Sequence, residues 1–200
     1  MTGKPQILVV EDELLVAQDL REILTGFGYD VPGIANSGAG AIRLAEEKRP
    51  DLVLMDINLT GEMDGITAGG EIRSRWGIPI IYATAYASRT IVDRAKKTGP
   101  SGFIFKPYNE MQIEIAVEIA LHSAGIERQH RALKYLQTHP TITRQEYSKL
   151  FECNERTARR DLAALEMQKV IVMEKSGATK LFRLNAVFST YVDMGGHRSR

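Results

Sequence analysis

Short apolar runs alternate with longer stretches of helical periodicity through the first 125 residues. The runs at 6–10, 31–35, 51–55, 78–82 and 102–105 read as strands, and several are too continuously apolar to leave one face in water. Such strands are covered by helices on both sides. Between them, segments near 13–25, 38–48, 65–75, 88–98 and 109–121 carry apolar residues three and four apart, most clearly Leu14, Leu15, Ala17, Leu20, Ile23 and Leu24. Gly26 and Gly28 after the first helix, and Gly99-Pro100 after the fourth, are residues that end helices. Five βα units predict an α/β fold with a doubly wound five-stranded parallel sheet.

The grammar changes near residue 122. His122 to His130 loses the apolar periodicity and contains Gly125, which sets a first domain at 1–122 and a linker at 123–130. Beyond it, Ala132, Leu133, Tyr135 and Leu136 predict a helix, and Thr143-Arg144-Gln145-Glu146 opens a second with a capping-box pattern. Asn154 is the N-cap of a third helix, from Glu155 to about Lys169, with Ala158, Leu162 and Leu165 on one face. Arg156 and Arg160 lie roughly opposite, and Arg159 falls toward the exposed side. A polar turn at 175–178 then separates two short strands, 170–174 and 179–184. Helix, turn, helix and hairpin make a second, smaller domain over 131–190, and 191–200 is expected to be a disordered tail.

Charge sharpens this division. Residues 1–125 hold 12 Lys/Arg and 17 Asp/Glu, a net −5, whereas residues 126–200 hold 14 and 8, a net +6. An acidic front half joined to a basic rear half suggests a regulatory unit and a unit that meets a polyanion. Cys153, the single cysteine, cannot form an internal disulfide, and no apolar stretch approaches the roughly 20 residues of a membrane span. The expectation is a cytoplasmic chain without a membrane partner.

The chemistry sits at the strand ends. Glu11-Asp12 closes the first apolar run, Asp56 the third, Thr84 follows the fourth and Lys106 the fifth. In open parallel sheets, ligands bind beyond the carboxyl ends of the strands, so these side chains converge. Alone, Glu11-Asp12-Glu13 reads as a charge cluster favouring a helix N-terminus, and Asp56, Thr84 and Lys106 as turn and surface residues. Together, oxygen ligands suited to Mg²⁺, a hydroxyl, an ammonium and a carboxylate nucleophile describe a site that accepts a phosphoryl group.

These residues occur in the order found in the receiver domain of two-component response regulators, and residues 5 to about 121 resemble that family throughout. The match runs through Glu11-Asp12, Asp56 within Met55-Asp56-Ile57-Asn58-Leu59, Gly61, Asp64-Gly65, Thr84-Ala85 and Lys106-Pro107. The resemblance implies a flavodoxin-like fold, with Asp56 as the phosphoacceptor from a sensor histidine kinase. It further implies Mg²⁺ held by Asp12, Asp56 and the backbone carbonyl of Asn58, with Glu11 acting through water, while Lys106 and Thr84 meet phosphoryl oxygens. Phe103 takes the switch position, often tyrosine in the family, and Lys106-Pro107 is expected to be cis. Enzymatic activity is expected only as self-phosphorylation at Asp56 and slow self-dephosphorylation.

Residues 128–185 are similar to a winged helix-turn-helix of deoxyribose-operon-type repressors, most clearly in Arg156-Thr157-Ala158-Arg159-Arg160-Asp161-Leu162 and Leu165-Glu166. That likeness implies double-stranded DNA as partner, with Arg156, Thr157, Arg159 and Arg160 toward the major groove and Lys175 and Lys180 at the wing. Asp161 is instead read as bracing a neighbouring arginine. A homodimer formed on phosphorylation would place two winged domains on two half-sites. The alternatives are a winged domain that docks a protein, or an RNA-binding output, which the hairpin after the third helix disfavours.

Overall fold

A computed structural model describes residues 3–85 and 88–186, so the expected tail, residues 187–190 of the winged domain and Tyr86 lie outside the described residues. Two compact units divide at Ala124 and Gly125.

The first unit is a five-stranded parallel sheet in the order β2-β1-β3-β4-β5. Its strands are β1 (Ile7–Val10), β2 (Ile34–Ala35), β3 (Leu52–Asp56), β4 (Ile80–Thr84) and β5 (Gly102–Phe105). β2 is shorter than the apolar run at 31–35 suggests. Pro32 lacks an N–H for the ladder and Gly33 weakens a strand, so regular pairing is confined to Ile34 and Ala35. β4 likewise starts two residues later than expected, beyond Pro79.

Helices α1 (Leu14–Gly26), α2 (Gly38–Lys48), α3 (Gly65–Trp76) and α4 (Arg89–Lys97) alternate with the strands, and α5 (Glu110–Thr138) follows β5. Two apolar clusters lie against the strands. Leu20 and Leu24 of α1 with Ile113, Val117 and Ala120 of α5 pack with Ile7, Val9, Leu52 and Leu54. Ala41 and Ala45 of α2, Ile66 and Ile72 of α3 and Ala95 of α4 pack with Leu8, Val10, Val53 and Met55. Successive strand residues point to opposite faces, so unbroken apolar runs fill both layers.

Gly65 fixes how α3 leaves the end of β3. A Cβ there would lie 1.8 Å from the Asp56 carbonyl oxygen, so only glycine permits the approach that carries the chain past Asp56.

Residues 123–130, expected as a linker, are helical, and the helix expected around Ala132–Leu136 is the end of the same α5. Gly125 raises the intrinsic cost of a helix there. Gly125 is nonetheless helical and buried beside Asp161, where an added Cβ would stand 3.6 Å from a carboxylate oxygen.

The second unit also contains β6 (Ile142–Thr143), α6 (Arg144–Leu150), α7 (Glu155–Met167), β7 (Ile171–Ser176) and β8 (Thr179–Leu184). The antiparallel order is β6-β8-β7, and β6, two residues long, was not foreseen. Thr143 ends β6 and caps α6 in a complete capping box: its hydroxyl accepts from Glu146 N–H at 3.1 Å, and Glu146 Oε2 accepts from Thr143 N–H at 2.7 Å. The carboxyl of Glu146 is held below its usual range by those bonds. Ala132, Leu136, Tyr147, Ala158, Leu162, Leu165 and Ile171 form the core. This is a helix-turn-helix followed by a hairpin, a winged arrangement.

Candidate phosphoacceptor pocket and helix-turn-helix

Glu11 and Asp12 follow β1, Asp56 ends β3, Thr84 ends β4 and Lys106 follows β5, all at the carboxyl edge of the sheet. The register explains their proximity, because Val10 pairs with Met55 and Asp56 with Ala83. Ligand oxygens of Glu11, Asp12 and Asp56 lie within 4.8 Å of one another, the one such acidic group among the described residues. Glu11 and Asp56 are buried and Asp12 is half-buried.

Lys106 bridges the two buried acids. Its Nζ donates to Asp56 Oδ2 at 2.6 Å and to Glu11 Oε2 at 2.7 Å. Burial opposes the ammonium, but hydrogen bonds to Asp56 and Glu11 outweigh it and hold the lysine pKa well above its ordinary value. Burial raises the Glu11 carboxyl, with repulsion from Asp56 adding to it and Lys106 opposing. Backbone amides add further donors: Asn58 N–H reaches Asp56 Oδ1 at 2.9 Å and Thr60 N–H reaches Asp12 Oδ2 at 3.1 Å. The Lys106-Pro107 peptide is cis.

Thr84 is buried at the end of β4, pairing with Phe105, and its backbone carbonyl accepts from Lys106 N–H at 2.8 Å. Phe103 lies opposite Tyr82, with ring centroids 5.8 Å apart, and packs against the cluster beneath α3 and α4. Tyr108 was not singled out from sequence. Its hydroxyl is buried with no hydrogen-bond partner among the described residues. Burial, with Glu11, Asp19 and Asp56 against the opposing Lys106, pushes its pKa to about 12. Only its place two residues after Lys106 could have flagged it.

In the second unit, Asn154 caps α7, its side chain accepting from Thr157 N–H at 2.8 Å and Thr157 Oγ1 at 3.0 Å. Thr157 is therefore a correction: at 2 % exposure, with its hydroxyl directed to the cap, it has no side chain to offer a groove. Arg159 is exposed, and Arg156 and Arg160 are half-buried. Lys175 and Lys180 stand directly across from each other in the β7–β8 ladder, both exposed. Asp161 is buried and bound to Arg128 of α5, whose Nε donates at 2.7 Å, rather than to an arginine of its own helix. Tyr147 of α6 donates to the same carboxylate at 3.1 Å.

Residues 7–118 match the response regulator receiver domain, and residues 128–178 match an HTH domain. The transcriptional regulatory protein PdtaR of Mycobacterium tuberculosis is 39% identical over 116 residues, which cover 58% of this chain and 56% of PdtaR. The phyllosphere-induced regulator PhyR of Methylorubrum extorquens is 32% identical over 128 residues, covering 64% of this chain and 47% of PhyR. The chain thus spans about half the length of these curated relatives. The signal receiver domain of a modulated diguanylate cyclase from Desulfovibrio desulfuricans G20 superposes with a TM-score of 0.60 at 35% identity, covering 62% of this chain and 98% of that domain. The receiver match and the HTH match fall on consecutive parts of the chain. No helix among the described residues is long and apolar enough to cross a membrane. With more than half its length matched and the acidic pocket at the sheet edge, the chain belongs to the response regulator receiver domain family.

Proposed function

We propose that this chain is a cytoplasmic two-component transcription regulator in which Asp56 accepts a phosphoryl group from a sensor histidine kinase. The observation that carries this reading is the Lys106 ammonium, 2.6 Å from Asp56, within a pocket of three carboxylates at the carboxyl edge of the sheet. The other Asp56 oxygen is oriented by Asn58 N–H. Asp56 attacks phosphorus, the leaving imidazole departs, and Lys106 turns from the carboxylates toward a phosphoryl oxygen whose charge it offsets.

Receiver domains generally use Mg²⁺ at this pocket, and an all-oxygen donor set fits that hard cation. The ligands proposed are Asp12, Asp56 and the Asn58 carbonyl, with Glu11 acting through water. Bound there, the ion supplies positive charge against the clustered carboxylates and the incoming phosphoryl oxygens. Thr84 donates to the phosphoryl group, and Phe103 responds by deeper burial.

The output proposed is DNA binding by a winged domain of the deoxyribose-operon repressor kind, occupying 131–190. Arg156, Arg159 and Arg160 of α7 face the major groove. Lys175 and Lys180 support a wing that meets phosphate, since like charges directly opposite in a ladder repel unless a polyanion offsets them. Phosphorylation drives homodimerisation through α4, β5 and α5. Exposed Phe105, Met111, Ile115 and Ile119 support that face.

The test is selection of duplexes from a random pool by the full chain, with and without beryllofluoride and Mg²⁺, with Asp56→Asn as control. The expected result is a two-half-site motif that strengthens with the mimic only in the parent chain. No enriched motif in either state, from folded protein, overturns the DNA reading.

A further inference from the structure

The Asp161 network lies outside the phosphoacceptor pocket and the proposed groove contacts. Asp161 is 4 % exposed in the middle of α7. Its carboxylate receives Arg128 Nε at 2.7 Å, Arg128 Nη2 at 3.4 Å and the Tyr147 hydroxyl at 3.1 Å. One carboxylate thus ties together three helices, α5, α6 and α7. Gly125, one turn before Arg128, lies against it, with an added Cβ reaching 3.6 Å from Asp161 Oδ1.

The surroundings make this an unusual choice for cohesion. Ala132, Leu136, Ala158, Leu162 and Leu165 supply an apolar core around the same helices. A buried ion pair gains little net stability over well-packed apolar residues of similar volume, because both ions must leave water. A forked guanidinium on a carboxylate does supply direction, since its hydrogen bonds form in few relative orientations.

We propose that Arg128, Tyr147 and Asp161 are positioning residues that fix a single orientation of α7 against α5 and α6. They set where Arg156, Arg159 and Arg160 point rather than how firmly the unit holds together. The link to base reading rests on the DNA function proposed above; the orientation itself does not.

The test uses the full chain, labelled with nitrogen-15, in two variants. The apolar triple Arg128→Met, Tyr147→Phe, Asp161→Leu is expected to melt cooperatively near the parent, yet to show broadened or doubled amide resonances confined to α7. Arg128→Lys keeps the charge but loses the fork, and serves if the triple does not fold. It is expected to show the same α7 heterogeneity. On the motif selected by the parent, both variants are expected to bind about tenfold or more weakly. One sharp set of α7 resonances at parental positions in either folded variant overturns the proposal, because a merely cohesive network would lower melting without multiplying states. If the parent selects no duplex, the DNA reading fails and the resonance pattern still decides this inference.

Discussion

Two buried ionic sites stand one in each unit, and their charge balance differs. At the sheet edge, three carboxylates cluster while one ammonium, Lys106, pairs with two of them, so the pocket keeps excess negative charge. In the helix-turn-helix, one carboxylate meets one guanidinium and one hydroxyl, and the charges cancel. An unbalanced cluster is completed by something arriving, such as a cation or a phosphoryl group with its metal. A balanced one is already complete and can only hold its own elements in place. Burial alone does not separate these roles; the count of charges does.

The largest effect is expected when the balanced site loses one partner. Asp161→Ala strands the Arg128 guanidinium, whose side chain is only 14% exposed, and such an uncompensated charge costs about 3–5 kcal/mol. Denaturant titration followed by signals from the second unit should show a loss of that size. A change under about 1 kcal/mol would mean that water reaches Arg128 freely.

The unbalanced site should respond in the opposite sense. Asp12 makes no ion pair with Lys106, so Asp12→Asn relieves repulsion, and a gain of about 1 kcal/mol is expected. Mg²⁺ should stabilise the parent by about 1.4 kcal/mol at roughly tenfold its dissociation constant, and Asp12→Asn far less. Melting curves with and without the ion check both. Equal Mg²⁺ stabilisation of parent and variant would remove Asp12 from the proposed ligand set.

The pocket was legible in sequence because a parallel sheet places every strand's carboxyl end on one edge, so locating the strands located Glu11, Asp12, Asp56, Thr84 and Lys106. The second unit's ionic site was not. Arg128 fell in a stretch whose polar residues read as a linker, since a helix that buries charged side chains loses the apolar period. Asp161 was recognised as a brace, but its partner lies 33 positions away, and no local period carries that spacing. Thr157 was misplaced for a related reason. The same hydroxyl can face a groove or a cap, and the Asn154 side chain decides which.

Tyr108 presents a third case, a buried hydroxyl with no hydrogen-bond partner among the described residues. Removing an unsatisfied hydroxyl relieves a desolvation cost, so Tyr108→Phe should gain about 1 kcal/mol near neutral pH. The sign with pH follows from the raised pKa. The folded phenol ionises near 12 against an ordinary 10.0, so the parent keeps its neutral-pH stability below pH 10 and loses stability as pH rises toward 12, and the variant's advantage widens over that window. Absorbance titration of tyrosinate should lose a component near pH 12 in the variant.

The smallest effect is expected at an ion pair that is neither buried nor crowded. Arg94 of α4 donates to Asp64 Oδ2 at 2.7 Å, with the two side chains 50% and 34% exposed. Water and salt screen such a pair, so Arg94→Ala should cost about 0.5 kcal/mol and less at high salt. Asp64→Ala should cost more, about 1 kcal/mol, because Asp64 also caps α3 through Thr67 N–H at 2.9 Å, and the cap survives salt. The Asp64 carboxyl is held below its ordinary value despite burial, by the Thr67 hydrogen bonds first and Arg94 after them. Equal losses from the two substitutions, both abolished by salt, would make the ion pair the whole of Asp64's role. A salt-resistant excess in Asp64→Ala separates a charge that organises backbone from one that only meets another charge at the surface.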